Sequence, residues 1–137
     1  MERGNKAGQP AIVVVHGRVA RGQGEGASFT QLPWARAAFV ARLGIDPFPG
    51  TLNLVPEDPA AWAAVRAGRG ILIPSPERGV CDARAYKVRV AGRIEAAIVV
   101  PEVPGYPDDK IEIIAAVSLR AALGLADGGM IVVEVFP

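Results

Sequence analysis

The sequence is poor in cysteine and histidine, with one of each, and it has no long apolar run. A single cysteine, Cys81, excludes an internal disulfide and a cysteine-rich zinc site, and it is typical of a reducing compartment. Because no stretch approaches about 18 consecutive apolar residues, we expect no transmembrane helix. The start of the chain also lacks the apolar segment of a signal peptide. Residues 1–10 are therefore predicted to be a flexible tail of a cytoplasmic protein.

An excess of charge of one sign is also missing, since 15 Lys and Arg residues stand against 14 Asp and Glu residues. A protein that binds nucleic acid mainly through phosphates needs a basic patch or arm, so we expect no nucleic-acid partner. The lack of a long apolar run predicts no membrane partner either. Apolar residues, in contrast, make up 50% of the chain. That share is enough for a folded core, and residues 11–137 are predicted to form a single domain.

Short β-branched and apolar runs predict a mainly β protein. The predicted strands are 11–20, 51–55, 70–74, 83–90, 93–101, 110–115 and 129–136, and the predicted short helices are 32–44, 58–68 and 118–124. The dipeptide Ala91-Gly92 resembles a tight hairpin connection between two of these strands. Because strands and helices do not alternate strictly, we predict a compact β-barrel with short inserted helices.

The segment GIDPFPGTLNL, residues 44–54, ends in a short predicted strand that carries two small polar side chains. Alternation along a strand places Thr51 and Asn53 on one face and Leu52 and Leu54 on the other. One interpretation is an amphipathic strand whose polar side faces water. The other is a pair of hard oxygen ligands for a cation or a phosphate, and the segment alone does not decide between them.

A glycine-rich stretch, GQGEG, follows the first predicted strand, with glycines at 22, 24 and 26. Glycines let a backbone approach a ligand and turn its N–H groups toward phosphate oxygens, but they also form ordinary turns. The stretch is not a P-loop, because the chain has no G-x-x-x-x-G-K-[ST] motif. It is not a dinucleotide fingerprint either, because Ala27 occupies the position of the last glycine and no helix is predicted to begin in the loop.

Two charged residues are further candidates. Glu112 lies between isoleucines in a predicted strand and is either a solvent-facing glutamate or a ligand contact. Arg120, in the first turn of a predicted helix, is either solvated or able to meet a phosphate or a base edge. His16 and Cys81 have no visible partner for a catalytic pair, so nucleophilic catalysis is not expected.

Five segments occur together in an order and spacing that resemble the CTP-dependent riboflavin kinases. They are GRVARGQGEGASF, LGIDPFPGTLNL, IEAAIVVPE, IEIIA and LRAALGLADG, and the resemblance runs from about Gly17 to Val135. The glycine-rich GxGEG loop followed by the PFPGTLNL block is a rare combination. The resemblance implies a six-stranded cradle-loop β-barrel. It also implies transfer of the γ-phosphate of CTP to the riboflavin 5′-hydroxyl, which gives FMN and CDP.

The same resemblance implies roles for particular residues. Thr51 and Asn53 match the family's Mg²⁺ ligands, and neutral oxygens suit a hard ion that takes its remaining charge from phosphates. Glu112 matches a residue that contacts the flavin. The residues that match the nucleotide contacts are Gly22, Gln23, Gly24, Glu25, Gly26, Ala27, Val117, Ser118, Leu119 and Arg120. No catalytic base is assigned, because Glu25 and Glu112 are both candidates.

The chain departs from the family on the acceptor side. Members usually carry a threonine or serine near the flavin after the VVP strand, where this chain has Pro104 with Tyr106 close by. The family's IIAP is IIAA here, with Ala116. These departures leave open a CTP-dependent kinase of another small alcohol, or a nucleotide- or flavin-binding module without turnover. The balanced charge argues against a DNA-binding regulator.

Overall fold

The computed structural model describes residues 11–21, 30–76 and 78–136. Seven strands and three helices lie wholly within these ranges. In chain order they are β1 Val13–Ala20, α1 Pro33–Leu43, β2 Leu52–Pro56, α2 Pro59–Arg66, β3 Ile71–Ile73, β4 Ala83–Val90, β5 Ile94–Pro101, β6 Ile111–Ile114, α3 Leu119–Leu123 and β7 Met130–Phe136. Each matches a predicted element to within one or two residues at either end. The predicted tail, 1–10, and the predicted glycine-rich loop, 22–27, lie outside the described residues.

The strands close into a barrel because β4 divides one of its edges between two partners. The strand order is β3-β4-β5-β6-β2-β1-β7, and β7 returns to pair with β4. Ala83–Ala85 pair with β3, whereas Lys87–Val90 pair with β7. Every pairing is antiparallel. Six strands therefore form a closed ring with β3 attached beside it, and the predicted mainly β six-stranded barrel is confirmed.

Apolar side chains fill two layers, one inside the barrel and one outside it. All six barrel strands contribute to the inner cluster, for example through Val15, Ile98 and Ile113. The outer cluster lies between α1 and strands β3 to β6, where Phe39 packs near small residues such as Ala97. Strand β5 is buried on both faces. This burial explains why its apolar residues are consecutive and do not alternate with polar ones.

The helix ends follow the sequence signals closely. The carboxylate of Asp58 accepts the backbone N–H of Ala60 at 3.0 Å and caps α2, as predicted. That helix buries Trp62 in the barrel core. The hydroxyl of Ser118 accepts the N–H of Ala121 at 3.3 Å and caps α3. Helix α1 ends where Gly44 was expected to end it.

The connection between β4 and β5 is a tight turn that requires a left-handed backbone twice. Ala91 has φ 54° and Gly92 has φ 65°. The N–H of Arg93 donates to the carbonyl of Val90 at 3.0 Å, which closes the turn. Two successive positive φ values are the pattern of a type I′ hairpin, in which the first position usually holds Asn, Asp or Gly. Alanine is therefore unfavourable at position 91.

We expect Ala91→Gly to stabilise the protein by roughly 0.5–1 kcal/mol. Glycine removes the steric cost of the left-handed conformation, and its greater freedom in the unfolded chain offsets part of this gain. Gly92→Ala is the matched opposite change. It should destabilise the protein by about 1 kcal/mol, because alanine adopts the positive φ of this position only at a steric cost. No neighbour lies within 4 Å of an added Cβ there, so no clash adds to that cost. Urea unfolding of the three proteins measures both effects. Shifts of the same sign for the two variants would contradict this account of the turn.

Candidate functional site

Two cavities meet at a single residue, Thr51. The smaller, with a volume of about 180 Å³, opens at the end of the barrel, because Leu52 and Ile113 of the barrel core line it. The larger, of about 380 Å³, lies on the outer face of the barrel, where Phe39 of α1 and Ile114 of β6 line it. Thr51 lines both. The start of β2 therefore stands at the boundary between two separate spaces.

The proline–glycine turn before β2 is held from two sides. The backbone N–H of Phe48 donates to the carbonyl of Ala115 at 2.8 Å, just beyond β6. The N–H of Gly50 donates to the hydroxyl of Thr30 at 3.2 Å. Gly50 has φ 100°, a conformation that side-chain-bearing residues rarely adopt. These contacts fix the backbone that presents Thr51 to both cavities.

Asn53 is buried rather than facing water. The leucines on either side of it belong to the barrel core, so its own side chain lies on the outer face of β2, as alternation predicts. Only 9% of its surface is exposed. The interpretation of this strand as amphipathic, with a polar side in water, is therefore wrong at Asn53.

Glu112 connects three segments of the chain. It is the cross-strand partner of Asn53, on the outer face of β6. The hydroxyl of Thr51 donates to Glu112 Oε1 at 3.2 Å, and the hydroxyl of Tyr106 donates to Oε2. Lys110 Nζ lies 3.8 Å from the same Oε2. With its side chain 15% exposed, Glu112 is not the solvent-facing strand glutamate of the simpler interpretation.

Tyr106 is the residue of this cluster to which the sequence analysis gave no role. Burial raises the pKa of its phenol well above the ordinary value, and the hydrogen bond to the Glu112 carboxylate and the charge of that group raise it further. The phenol is therefore a donor throughout the neutral range. Lys110 Nζ lies 5.7 Å from the centre of the Tyr106 ring. Tyr106 lies in an irregular loop, where the sequence has no periodic pattern that could have predicted its role.

The oxygens of Thr51 and Asn53 fit a magnesium ion. The Thr51 hydroxyl donates its one hydrogen bond to Glu112, and Asn53 Nδ2 donates to the carbonyl of Thr51 at 3.4 Å. Within the described residues, neither the Thr51 hydroxyl oxygen nor Asn53 Oδ1 accepts a hydrogen bond, so both keep lone pairs for a ligand. In the same ranges no group of three or more His, Cys, Asp and Glu side chains could hold a metal ion. Neutral oxygens are suitable when phosphates and water complete the magnesium shell.

The predicted nucleotide segment, Val117 to Arg120, lines the smaller cavity. Arg120 is not merely solvated. Its guanidinium donates to the carbonyl of Ala20 at 3.2 Å and to Asp127 Oδ1 at 2.7 Å, so it ties α3 to the end of β1.

The other predicted nucleotide residues, Gly22 to Ala27, lie outside the described residues. Two described residues flank this stretch. Arg21 Nε lies 3.9 Å from Asp127 Oδ2, beside Arg120, and Thr30 lines the larger cavity. Both flanks therefore stand next to residues that line the two cavities.

The larger cavity has one wall that the sequence did not reveal. Val80, Cys81 and Asp82, from the loop before β4, line it together with residues of β6. No pattern in that proline- and glycine-bearing stretch pointed to a binding role. His16, in contrast, lines neither cavity.

A family model labelled as CTP-dependent riboflavin kinase, and described as "Domain of unknown function DUF120", matches residues 19–135. The chain belongs to the CTP-dependent riboflavin kinase family. This result confirms the resemblance read from the sequence segments. Among the described residues, no helix has the length and apolarity needed to cross a membrane.

Curated relatives with the name riboflavin kinase cover most of the chain. The one from Pyrobaculum arsenaticum is 42% identical over 130 residues, which span 91% of this chain and 61% of the relative. The one from Archaeoglobus fulgidus is 40% identical over 128 residues, 90% of this chain and 54% of the relative. The one from Methanosarcina barkeri is 39% identical over 133 residues, 90% of this chain and 56% of the relative. The chain thus spans a little over half the length of these relatives.

We expect both tyrosines of this kinase-family chain to resist ionisation. Burial is the main cause that raises the pKa of Tyr86 and of Tyr106 above the ordinary 10.0. Above that pH the unfolded chain loses phenolic protons that the folded chain keeps, so the free energy of unfolding should fall as pH rises. Phenolate absorbance and circular dichroism, followed together in an alkaline titration, measure this. Full ionisation of a tyrosine at pH 10 with the fold intact would refute it.

Proposed function

We propose that this chain is a CTP-dependent riboflavin kinase, which transfers the γ-phosphoryl group of CTP to the riboflavin 5′-hydroxyl and yields FMN and CDP. The observation that carries the proposal is the position of Thr51, which lines both cavities. A transferase must bring donor and acceptor atoms to within about 3–3.5 Å, and adjoining cavities allow this. The family label supports CTP as donor, and the relatives' names support riboflavin as acceptor.

The larger cavity suits the flavin. Its volume of about 380 Å³ lies within the range of ligand pockets, and its lining is mostly apolar, with Phe39, Val99 and Ile114 on one side. Such a lining favours a flat aromatic ring system. Glu112 supplies a carboxylate that can accept an N–H or O–H donor of the acceptor. These features support the assignment of Glu112 to flavin binding.

The smaller cavity and the segment Gly22 to Ala27 are assigned to CTP. The side chains of Ser118 and Arg120 are already engaged, one in capping α3 and the other in holding β1 and Asp127. Recognition of cytosine therefore falls to backbone groups of Val117 to Leu119, which can pair with the amino donor and ring acceptors of that base. The chain contains no P-loop lysine, so it would hold the phosphates in another way.

Thr51 and Asn53 are the residues that would hold Mg²⁺. When bound, the ion supplies neutralisation of the phosphate charge that develops during transfer. Glu112 contributes by accepting the hydrogen bond of the Thr51 hydroxyl, which keeps the lone pairs of that oxygen available. The orientation of the ligands is thus set before any nucleotide arrives.

In the reaction the bond between the γ-phosphorus and the β–γ bridging oxygen breaks, and a bond from the riboflavin 5′-oxygen forms. The hydroxyl proton must leave, and Glu112 and Glu25 are both carboxylates that could receive it. Phosphoryl transfer depends mainly on positioning and on charge stabilisation, so a strong base is not required.

A kinase of another small alcohol is the second candidate. Pro104 stands where the family usually places a hydroxyl-bearing residue near the flavin, which favours an altered acceptor over an altered donor.

Purified protein with riboflavin and Mg²⁺ should form FMN with CTP, and it should form far less with ATP, GTP or UTP. Chromatography of the flavin products measures turnover, and titration calorimetry measures nucleotide affinity. Equal affinity for ATP and CTP would overturn the nucleotide assignment. Binding of CTP without FMN formation, together with phosphorylation of another alcohol, would support the second candidate instead.

Asn53→Leu should lower turnover by about 10²–10³-fold or more while the protein stays folded, because it removes one ligand oxygen without changing the barrel core. Thr51→Val deletes the hydroxyl, keeps the shape and should show a related defect. The double variant should be little worse than the worse single variant, since the two residues act as one unit.

The control is Val55→Thr, an isosteric change of a 42% exposed residue on the same face of β2. It should leave the rate unchanged. Magnesium dependence of nucleotide binding, followed by calorimetry, gives a readout that does not require turnover. Normal magnesium dependence in both single variants would show that Thr51 and Asn53 are not the ligands.

A further inference from the structure

Tyr106 stands between the loop 102–109 and the larger cavity. Its hydroxyl donates to Glu112 Oε2, and its ring lines the cavity while also packing against the barrel core. Its backbone N–H donates to the carbonyl of Val103 at 3.2 Å. Glu112 and Thr51 have roles in the proposed reaction, whereas Tyr106 has none.

We propose that Tyr106 is a positioning residue that sets affinity for the acceptor, by holding the Glu112 carboxylate at the wall of the larger cavity. This inference rests on the proposed function and deepens it. It names an acceptor-side residue in the part of the chain that departs from the family's sequence pattern.

The two oxygens of Glu112 are held by hydroxyls from two different segments. Thr51 binds Oε1 and Tyr106 binds Oε2, so rotation of the carboxylate would break one bond or the other. Lys110 adds a longer contact of 3.8 Å to Oε2. A carboxylate has about four acceptor positions, and the two hydroxyls occupy two of them, which leaves room for an N–H or O–H donor of riboflavin.

Loss of the Tyr106 hydroxyl would leave Oε2 with Lys110 alone. That ammonium lies one residue before β6, lines the same cavity and is partly exposed, so at 3.8 Å it would hold the carboxylate less firmly than the phenol does. The Thr51 contact would persist, because it uses the other oxygen. Loss of this hydroxyl should therefore weaken the binding of riboflavin and not the binding of magnesium and nucleotide.

The loop that carries Tyr106 is attached at both ends. Glu102 accepts Arg84 Nε at 3.0 Å, and the Glu102 N–H donates to the carbonyl of Asp82 at 2.8 Å. Asp108 accepts Arg66 Nη1 at 3.3 Å. These contacts tie the two ends of the loop to β4 and α2.

The test compares Tyr106→Phe with Tyr86→Phe. Both changes remove one partly buried phenolic hydroxyl, and the Tyr86 hydroxyl donates to the carbonyl of Gly68 at 3.3 Å, away from both cavities. Tyr106→Phe should raise the riboflavin KM by about tenfold, the effect of one hydrogen bond to a charged group. Riboflavin affinity, measured by quenching of flavin fluorescence, should fall equally. The kcat and the Mg²⁺–CTP affinity should stay within about twofold.

Tyr86→Phe should lower the thermal unfolding temperature and leave riboflavin KM and affinity unchanged. Lys110→Met, which removes the weaker partner of Glu112, should change riboflavin affinity less than Tyr106→Phe does. A Tyr106→Phe protein that loses only stability, like Tyr86→Phe, would overturn the inference and leave the proposed function intact. A wild-type protein that neither binds nor phosphorylates riboflavin would overturn the proposed function, and the inference with it.

Discussion

The site depends on one constraint, the division of a single edge of β4 between β3 and β7. The pairing of Lys87–Val90 with β7 closes the ring, and the pairing of Ala83–Ala85 with β3 leaves the other half of the strand outside it. Within this closed ring, β2 pairs with β6 in the register that sets Asn53 opposite Glu112. The outer face of β4 to β6 then receives α1, and the larger cavity lies where that cover ends.

Glu112 shows how such a scaffold turns separate segments into one site. A carboxylate on the outer face of a barrel would ordinarily be solvated. Here it accepts hydrogen bonds from two hydroxyls and lies beside an ammonium group. The contact to Tyr106 lies in the wall of the larger cavity, and the contact to Thr51 reaches the boundary between the two cavities. Because a charged acceptor strengthens each bond, the cluster is more rigid than its neutral members would be alone.

Local signals allowed the strands, the helices and their caps to be predicted, because β-branching, capping residues and turn dipeptides act over a few positions. The pairing of Asn53 with Glu112 could not be predicted in the same way, since it depends on a register between strands that are distant in the sequence. The role of Tyr106 could not be predicted for a related reason, because an irregular loop has no periodic sequence pattern. The partners of Arg120, at Ala20 and Asp127, likewise follow from the folded path of the chain.

The alanines beneath α1 have an effect beyond packing. Ala83, Ala85 and Ala97 present single methyl groups toward the helix, so the helix can approach the sheet closely there. Larger side chains at these positions would lift α1 and move Phe39, which lines the larger cavity. The height of that cavity therefore depends on the volumes of the side chains that the strands place beneath the helix. Ala85 and Ala97 do not line the cavity themselves, so substitutions at these two positions would change its height while leaving its lining residues the same.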